Sequence, residues 1–127
     1  MPTAADMVAE AKKRVENLTV DEAARELEGG DALLVDIREP AERVENGSIA
    51  EAVEAPRGML EFWADPTSAL HRDEFEPGRR IILLCASGGR SALAGATLQD
   101  LGYERVALMD GGLKAWKEAG RPVQDEG

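Results

Sequence analysis

The residue best suited to chemistry is Cys85, the one cysteine in a chain of 127 residues. It opens the stretch Cys-Ala-Ser-Gly-Gly-Arg-Ser (85–91), directly after the apolar run Ile81, Ile82, Leu83, Leu84. A strand that ends at a thiol and passes through Gly88 and Gly89 into a helix gathers backbone N–H donors around one point. The helix N-terminus adds its own unpaired donors and partial positive charge. Ligands of open parallel sheets bind beyond the carboxyl ends of the strands, which is where Cys85 falls. Donors of this kind favour a thiolate, the nucleophilic form of cysteine, and would also cradle an anionic adduct on the sulfur. Arg90 adds a fixed positive charge with several donors. A cysteine that merely packs as a small hydrophobe needs neither the Ser-Gly-Gly that follows nor the arginine, so the loop favours the nucleophile.

Other chemistries fall away on counts. One cysteine excludes an intramolecular disulfide, and with one histidine, His71, no spacing suits a zinc site or most histidine-based triads. No metal or other cofactor is expected. The formal net charge is −10. Such a surface repels nucleic-acid backbones and anionic membranes, so neither is an expected partner. No apolar run approaches the ~18 residues of a membrane span. The first residues, MPTAADMVAEAKKRVEN, lack the apolar core of a signal peptide, and the expected compartment is the cytoplasm.

The elements that must position Cys85 follow from periodicity and punctuation. Ala4, Met7, Val8, Ala11 and Val15 recur at helical spacing. Thr19 and Glu22 form a capping box for a second helix that ends at Gly29-Gly30. The run 32–37 reads as a buried strand, Pro40 opens a helix, 50–56 supplies a short strand and 57–65 a helix. Residues 65–79 are irregular. A clear strand, 79–85, leads to Cys85 and then to a helix over about 90–101 that stops at Gly102. A strand at 105–109 and a helix at 111–120 close the chain, with the tail expected to be loose beyond Val123. Alternating strands and helices without hairpin turns predict an α/β domain on a mostly parallel sheet. The division expected is an N-terminal helical extension, 1–17, and the main α/β domain, 18–127.

Three stretches in order resemble the single-domain rhodanese (sulfurtransferase) family. They are LLVDIREPAERVENGSIAEA (33–52), with its Asp-x-Arg and Gly-x-Ile, the loop CASGGRS, and GYERVALMDGGLKAW (102–116). The resemblance covers roughly 18–123. It implies a rhodanese-like fold: a central five-stranded, mostly parallel sheet flanked by helices on both faces. It implies that Cys85 attacks a sulfane sulfur, becomes a persulfide and passes the outer sulfur on. Ala86, Ser87, Gly88, Gly89 and Arg90 map onto the rest of the substrate-binding loop. The implied partners are a small-molecule sulfur donor such as thiosulfate and a thiol or cyanide acceptor, with a sulfur-relay protein as a further candidate.

Loop length separates the neighbouring chemistries. Related phosphatases use Cys-x5-Arg, a ring that fits phosphate, whereas Cys85 and Arg90 stand in Cys-x4-Arg. This sets phosphatase and arsenate-reductase activity below sulfur transfer. A non-enzymatic sulfur carrier or redox-sensing module is the other alternative. The chain departs from the family at Ser48, where many members have histidine, at Ala50-Glu51, and at Ala86, where a basic residue is common. Arg90 is then the only cation within the loop. Asp36 and Arg38 match a pair that the family uses as a structural ion pair. Arg57 is a candidate for the wall facing the loop, with Phe62 or Trp63 shaping access. Trp116 reads as core and His71 as a surface residue.

Overall fold

The computed structural model describes residues 2–125. In chain order the elements are α1 (Ala4–Arg14), β1 (Glu16–Leu18), α2 (Val20–Glu28), β2 (Leu33–Asp36), α3 (Pro40–Asn46), β3 (Val53–Glu54), a 3₁₀ turn (Arg57–Met59), α4 (Leu60–Ala64), β4 (Ile81–Leu84), α5 (Gly89–Asp100), β5 (Val106–Met109) and α6 (Gly112–Glu118). The strands form one five-stranded sheet in the order β1-β5-β4-β2-β3. Every pairing in it is parallel.

Successive side chains of a strand face opposite sides, so the apolar runs supply two cores. On one face Val35, Leu83 and Leu108 pack with Ala11 of α1 and Val15 just after it, Leu60 and Ala64 of α4, and Ala94 and Leu98 of α5. On the other, Leu34, Ile82, Leu84 and Ala107 pack with Ala23 and Ala24 of α2 and with Leu113 and Trp116 of α6. Helices therefore cover both faces, as a parallel sheet buried on both sides requires. β4 sits at the centre, flanked by β5 and β2, and delivers Cys85 to the carboxyl edge.

Strand β1 has no counterpart in the sequence reading. Its Glu16 and Asn17 are exposed and polar; only Leu18 is buried. Tertiary context makes it a strand. It pairs with β5 from Glu16↔Ala107 to Leu18↔Met109, and Arg80 binds Glu16 (2.9 Å) and both oxygens of Glu26 (2.8 Å each). The division at 17/18 falls inside β1. Helix α1 lies against α5, where Gly95 makes room: a Cβ there would stand 2.8 Å from Val15 Cγ2. Arg14 pairs with Asp100 at 2.9 Å across the same contact.

The tail is tied further than expected. Gln124 forms an antiparallel bridge with Ser48, their N–H groups donating to each other's carbonyls at 2.8 and 2.9 Å. Gly47, at φ +82°, permits this approach, since a Cβ there would lie 2.9 Å from the Gln124 carbonyl oxygen. Ser48 thus has a structural place, tying the tail to the connection after α3. The end of the tail, residues 126 and 127, lies outside the described residues.

Candidate active site

Cys85 is the first residue beyond β4 and is 1% exposed, at the floor of its loop. The loop turns back on the sulfur through Gly88, whose N–H donates to Cys85 Sγ at 3.0 Å. Gly88 has φ +118°, a left-handed conformation that disfavours any residue with a Cβ. Helix α5 starts at the next residue and runs for twelve. The sulfur therefore lies at a helix N-terminus with an amide already donating to it, an arrangement that stabilises negative charge on sulfur.

The loop is fixed from behind by α6. Leu113 N–H donates to the Cys85 carbonyl (2.9 Å) and Lys114 N–H to the Ala86 carbonyl (3.2 Å). The helix approaches this closely because its first residue is Gly112. A Cβ there, at φ +59°, would fall 2.7 Å from the Ala86 carbonyl carbon and collide with the Cys85 carbonyl oxygen. Thus Gly112 serves the cysteine loop as well as the start of α6.

Ala86 and Ser87 are exposed and line a cleft of about 350 Å³ together with Arg38, Glu42, Asn46, Leu113, Lys114 and Lys117. Arg90 is half-buried and directed at Glu42. Its two terminal nitrogens each donate to one carboxylate oxygen of Glu42 at 2.7 Å. These hydrogen bonds from Arg90 hold the Glu42 carboxyl down at about 2. The loop cation that the sequence offered to a donor anion is thus committed to a carboxylate on α3. Arg38 makes the expected ion pair: Nε and Nη2 donate to Asp36 at 3.0 and 2.8 Å, both side chains buried. Arg38 Nη2 also donates to the Gly47 carbonyl at 2.9 Å, so the pair braces the connection after β2.

Arg57 is not brought to this cleft. Nη1 donates to Glu61 (2.7 Å) and Nη2 to Thr97 (3.3 Å), and the side chain lines a separate groove with Met7, Glu10 and Leu93. Its i,i+4 partner Glu61 holds it along α4. Neither aromatic borders the cleft: Trp63 packs against the core beneath Arg72, 3.7 Å from the ring centroid, and Phe62 is 53% exposed. His71 is half-buried, its Nε2 donating to the Phe75 carbonyl at 2.9 Å. Trp116 is core, its indole N–H donating to the Pro122 carbonyl.

Glu42, Lys114 and Lys117 were missed in the sequence. Glu42 lies 48 residues from Arg90, and no local pattern joins them. The lysines carried a weak signal, two cations three apart just after the glycine pair that opens α6.

A parallel α/β sheet whose central strand delivers a lone cysteine to a backbone amide and a helix N-terminus defines a cysteine-loop α/β protein. The model of the rhodanese-like domain matches residues 19–119, and the chain belongs to that family. A sulfurtransferase of Allochromatium vinosum is 37% identical over 73% of this chain and 78% of its own. A solved structure from Rhodopseudomonas palustris, described as a protein of unknown function and possible tyrosine phosphatase, superposes with a TM-score of 0.92. It is 39% identical, over 98% of this chain and 96% of that one. The polysulfide-sulfur transferase homodimer of Wolinella succinogenes is 29% identical, with a TM-score of 0.76 over 94% and 85% of the two chains. Among the described residues no helix is long and apolar enough to cross a membrane.

Proposed function

We propose that the protein is a sulfurtransferase that works through a persulfide on Cys85. The observation that carries this reading is the Gly88 N–H on Cys85 Sγ at 3.0 Å, in a four-residue loop at the head of α5. In the first step the Cys85 thiolate attacks the outer sulfur of thiosulfate. A new S–S bond forms, the old one breaks, and sulfite leaves with the electron pair. The loop donors that stabilise the thiolate then stabilise the persulfide anion. In the second step a nucleophilic acceptor takes the outer sulfur. Cyanide yields thiocyanate and a thiolate yields its persulfide, and in each case the Cys85 thiolate is regenerated. Ser87, Gly88 and Gly89 act through their backbone, and Ala86 and Ser87 form the rim that substrates cross. A persulfide donor enters the same cycle with its own thiolate as leaving group.

Thiocyanate formation from thiosulfate and cyanide, compared between wild type and Cys85→Ser, tests the reading. Turnover that vanishes in the variant supports it; turnover that survives rejects it. A stable persulfide without turnover would make the protein a carrier. The description of the Rhodopseudomonas relative makes aryl-phosphate hydrolysis the informative second assay. The Cys-x4-Arg spacing, and an Arg90 whose guanidinium is held by Glu42, favour a negligible rate there.

A further inference from the structure

We propose that Lys114 and Lys117 are the charge-selecting residues of the site, so that the cleft favours small sulfur donors and acceptors carrying a sulfonate or carboxylate. The proposal deepens the sulfurtransferase reading and rests on it for its biological sense. Among the described residues, four that line the cleft bear charge: Arg38, Glu42, Lys114 and Lys117. Arg38 is 1% exposed and spent on Asp36, and Glu42 is spent on Arg90. Among the described residues neither lysine forms an ion pair. The loop itself offers no substitute, because Ala86 is neutral and Arg90 is engaged. Among the described residues, the two free positive charges of the cleft therefore come from α6.

Their placement is built rather than incidental. Residues three apart share a helix face, and Lys114 and Lys117 both point into the cleft that Ala86 and Ser87 line. The backbone of Lys114 is bonded to the Ala86 carbonyl, which fixes the root of the side chain relative to the loop. Lys117 stands one turn further, about 4.5 Å along the axis. An anionic group close to the reacting sulfur meets Lys114, and one carried on a longer molecule meets Lys117. The chain has four lysines, and the other two, Lys12 and Lys13, are on α1. In a protein of net charge −10, a local positive wall is what admits an anion to the sulfur.

The test is the rate at which Cys85, the sole thiol, is alkylated by iodoacetate and by iodoacetamide, which differ by one negative charge. At low salt the iodoacetate-to-iodoacetamide ratio is expected to fall about threefold to tenfold in Lys114→Ala/Lys117→Ala, the range for partly screened charge contacts. It should hold in Lys114→Arg/Lys117→Arg and in the remote control Lys13→Ala, and the difference should shrink as salt rises. For thiosulfate, the same double variant should raise KM more than it lowers kcat. An unchanged ratio in the double alanine variant, or an equal fall in Lys13→Ala, would overturn the proposal. So would failure of both reagents to label Cys85 in the folded protein, since the cleft would then not lead to the sulfur. Alkylation requires no sulfur transfer, so a wild type that labels selectively yet takes no sulfur from any donor would reject the sulfurtransferase reading and uphold the lysines.

Discussion

Arg90 and Glu42 meet with both guanidinium terminal nitrogens on the two carboxylate oxygens, each at 2.7 Å, and so join the start of α5 to α3 across the mouth of the site. The pair has a signature in pH. The carboxyl of Glu42 lies at about 2 in the folded protein against an ordinary 4.5, chiefly through the Arg90 hydrogen bonds. A carboxylate depressed on folding stabilises the protein above its unfolded value, and that contribution is lost as pH falls through the folded value. Wild type should therefore exceed Glu42→Gln in stability by a constant amount above about pH 5, with the gap closing between about pH 4.5 and 2. Denaturant unfolding of both proteins across that range checks this; a gap that does not change with pH would contradict it.

The same pair alters what loss of Arg90 means. Arg90→Ala leaves the Glu42 carboxylate unpaired on the wall of the cleft, where it repels an anionic donor. The apparent KM for thiosulfate should rise about threefold to tenfold, as for a like charge at a partly solvated site. In Glu42→Gln/Arg90→Ala most of that loss should be recovered. Steady-state kinetics of the single and double variants decide the matter. A double variant as impaired as the single would mean that Arg90 touches the donor itself.

Gly112 lets α6 lie against the cysteine loop. Alanine at this position must tolerate φ +59° and place its Cβ 2.7 Å from the Ala86 carbonyl. Strain and overlap of this kind cost about 1–3 kcal/mol each. Gly112→Ala should lower the unfolding free energy by at least about 1 kcal/mol and reduce turnover in the protein that remains folded, because Cys85 and Ala86 must shift. Thermal unfolding and activity at a temperature below the transition report both effects. Full activity in a stable variant would show that the loop does not depend on α6.

How much of this was legible follows from which forces are local. The strands 32–37 and 105–109, the capping box at Thr19 and the loop from Cys85 to Gly89 rest on runs of neighbouring residues, so their pattern is in the sequence. The ends of β2, β4 and β5 matched within a residue or two. Strand β1 was hidden because Glu16 and Asn17 are polar edge residues whose strand state comes from β5 and from Arg80, just before β4. Arg57 was misplaced because position after a strand says nothing of where a long side chain turns, and Glu61 and Thr97 claimed it. The Glu42–Arg90 pair joins α3 to α5, and Lys114 and Lys117 of α6 line the cleft beside Glu42. Only the folded chain brings them together.

The place of α1 in the fold yields a prediction from one contact. Gly95 lies in the interior of α5, where alanine alone would add up to about 1 kcal/mol of helix stability. Here its Cβ would stand 2.8 and 2.9 Å from the methyl groups of Val15, a stiff β-branched residue at the end of α1. Overpacking of about 1–3 kcal/mol should win, so Gly95→Ala is expected to destabilise. Val15→Ala/Gly95→Ala should be less unstable than the sum of the single changes. A double-mutant cycle by denaturant unfolding measures the coupling, and additive effects would mean that α1 moves away at no cost.

The most direct test of the central claim is the intact mass of the protein after thiosulfate, before and after addition of cyanide. Wild type should gain the mass of one sulfur atom at Cys85 and lose it to cyanide with stoichiometric thiocyanate, while folded Cys85→Ser gains nothing. A wild type that stays unmodified with thiosulfate and with persulfide donors alike, or a folded Cys85→Ser protein that still forms thiocyanate, would contradict the account.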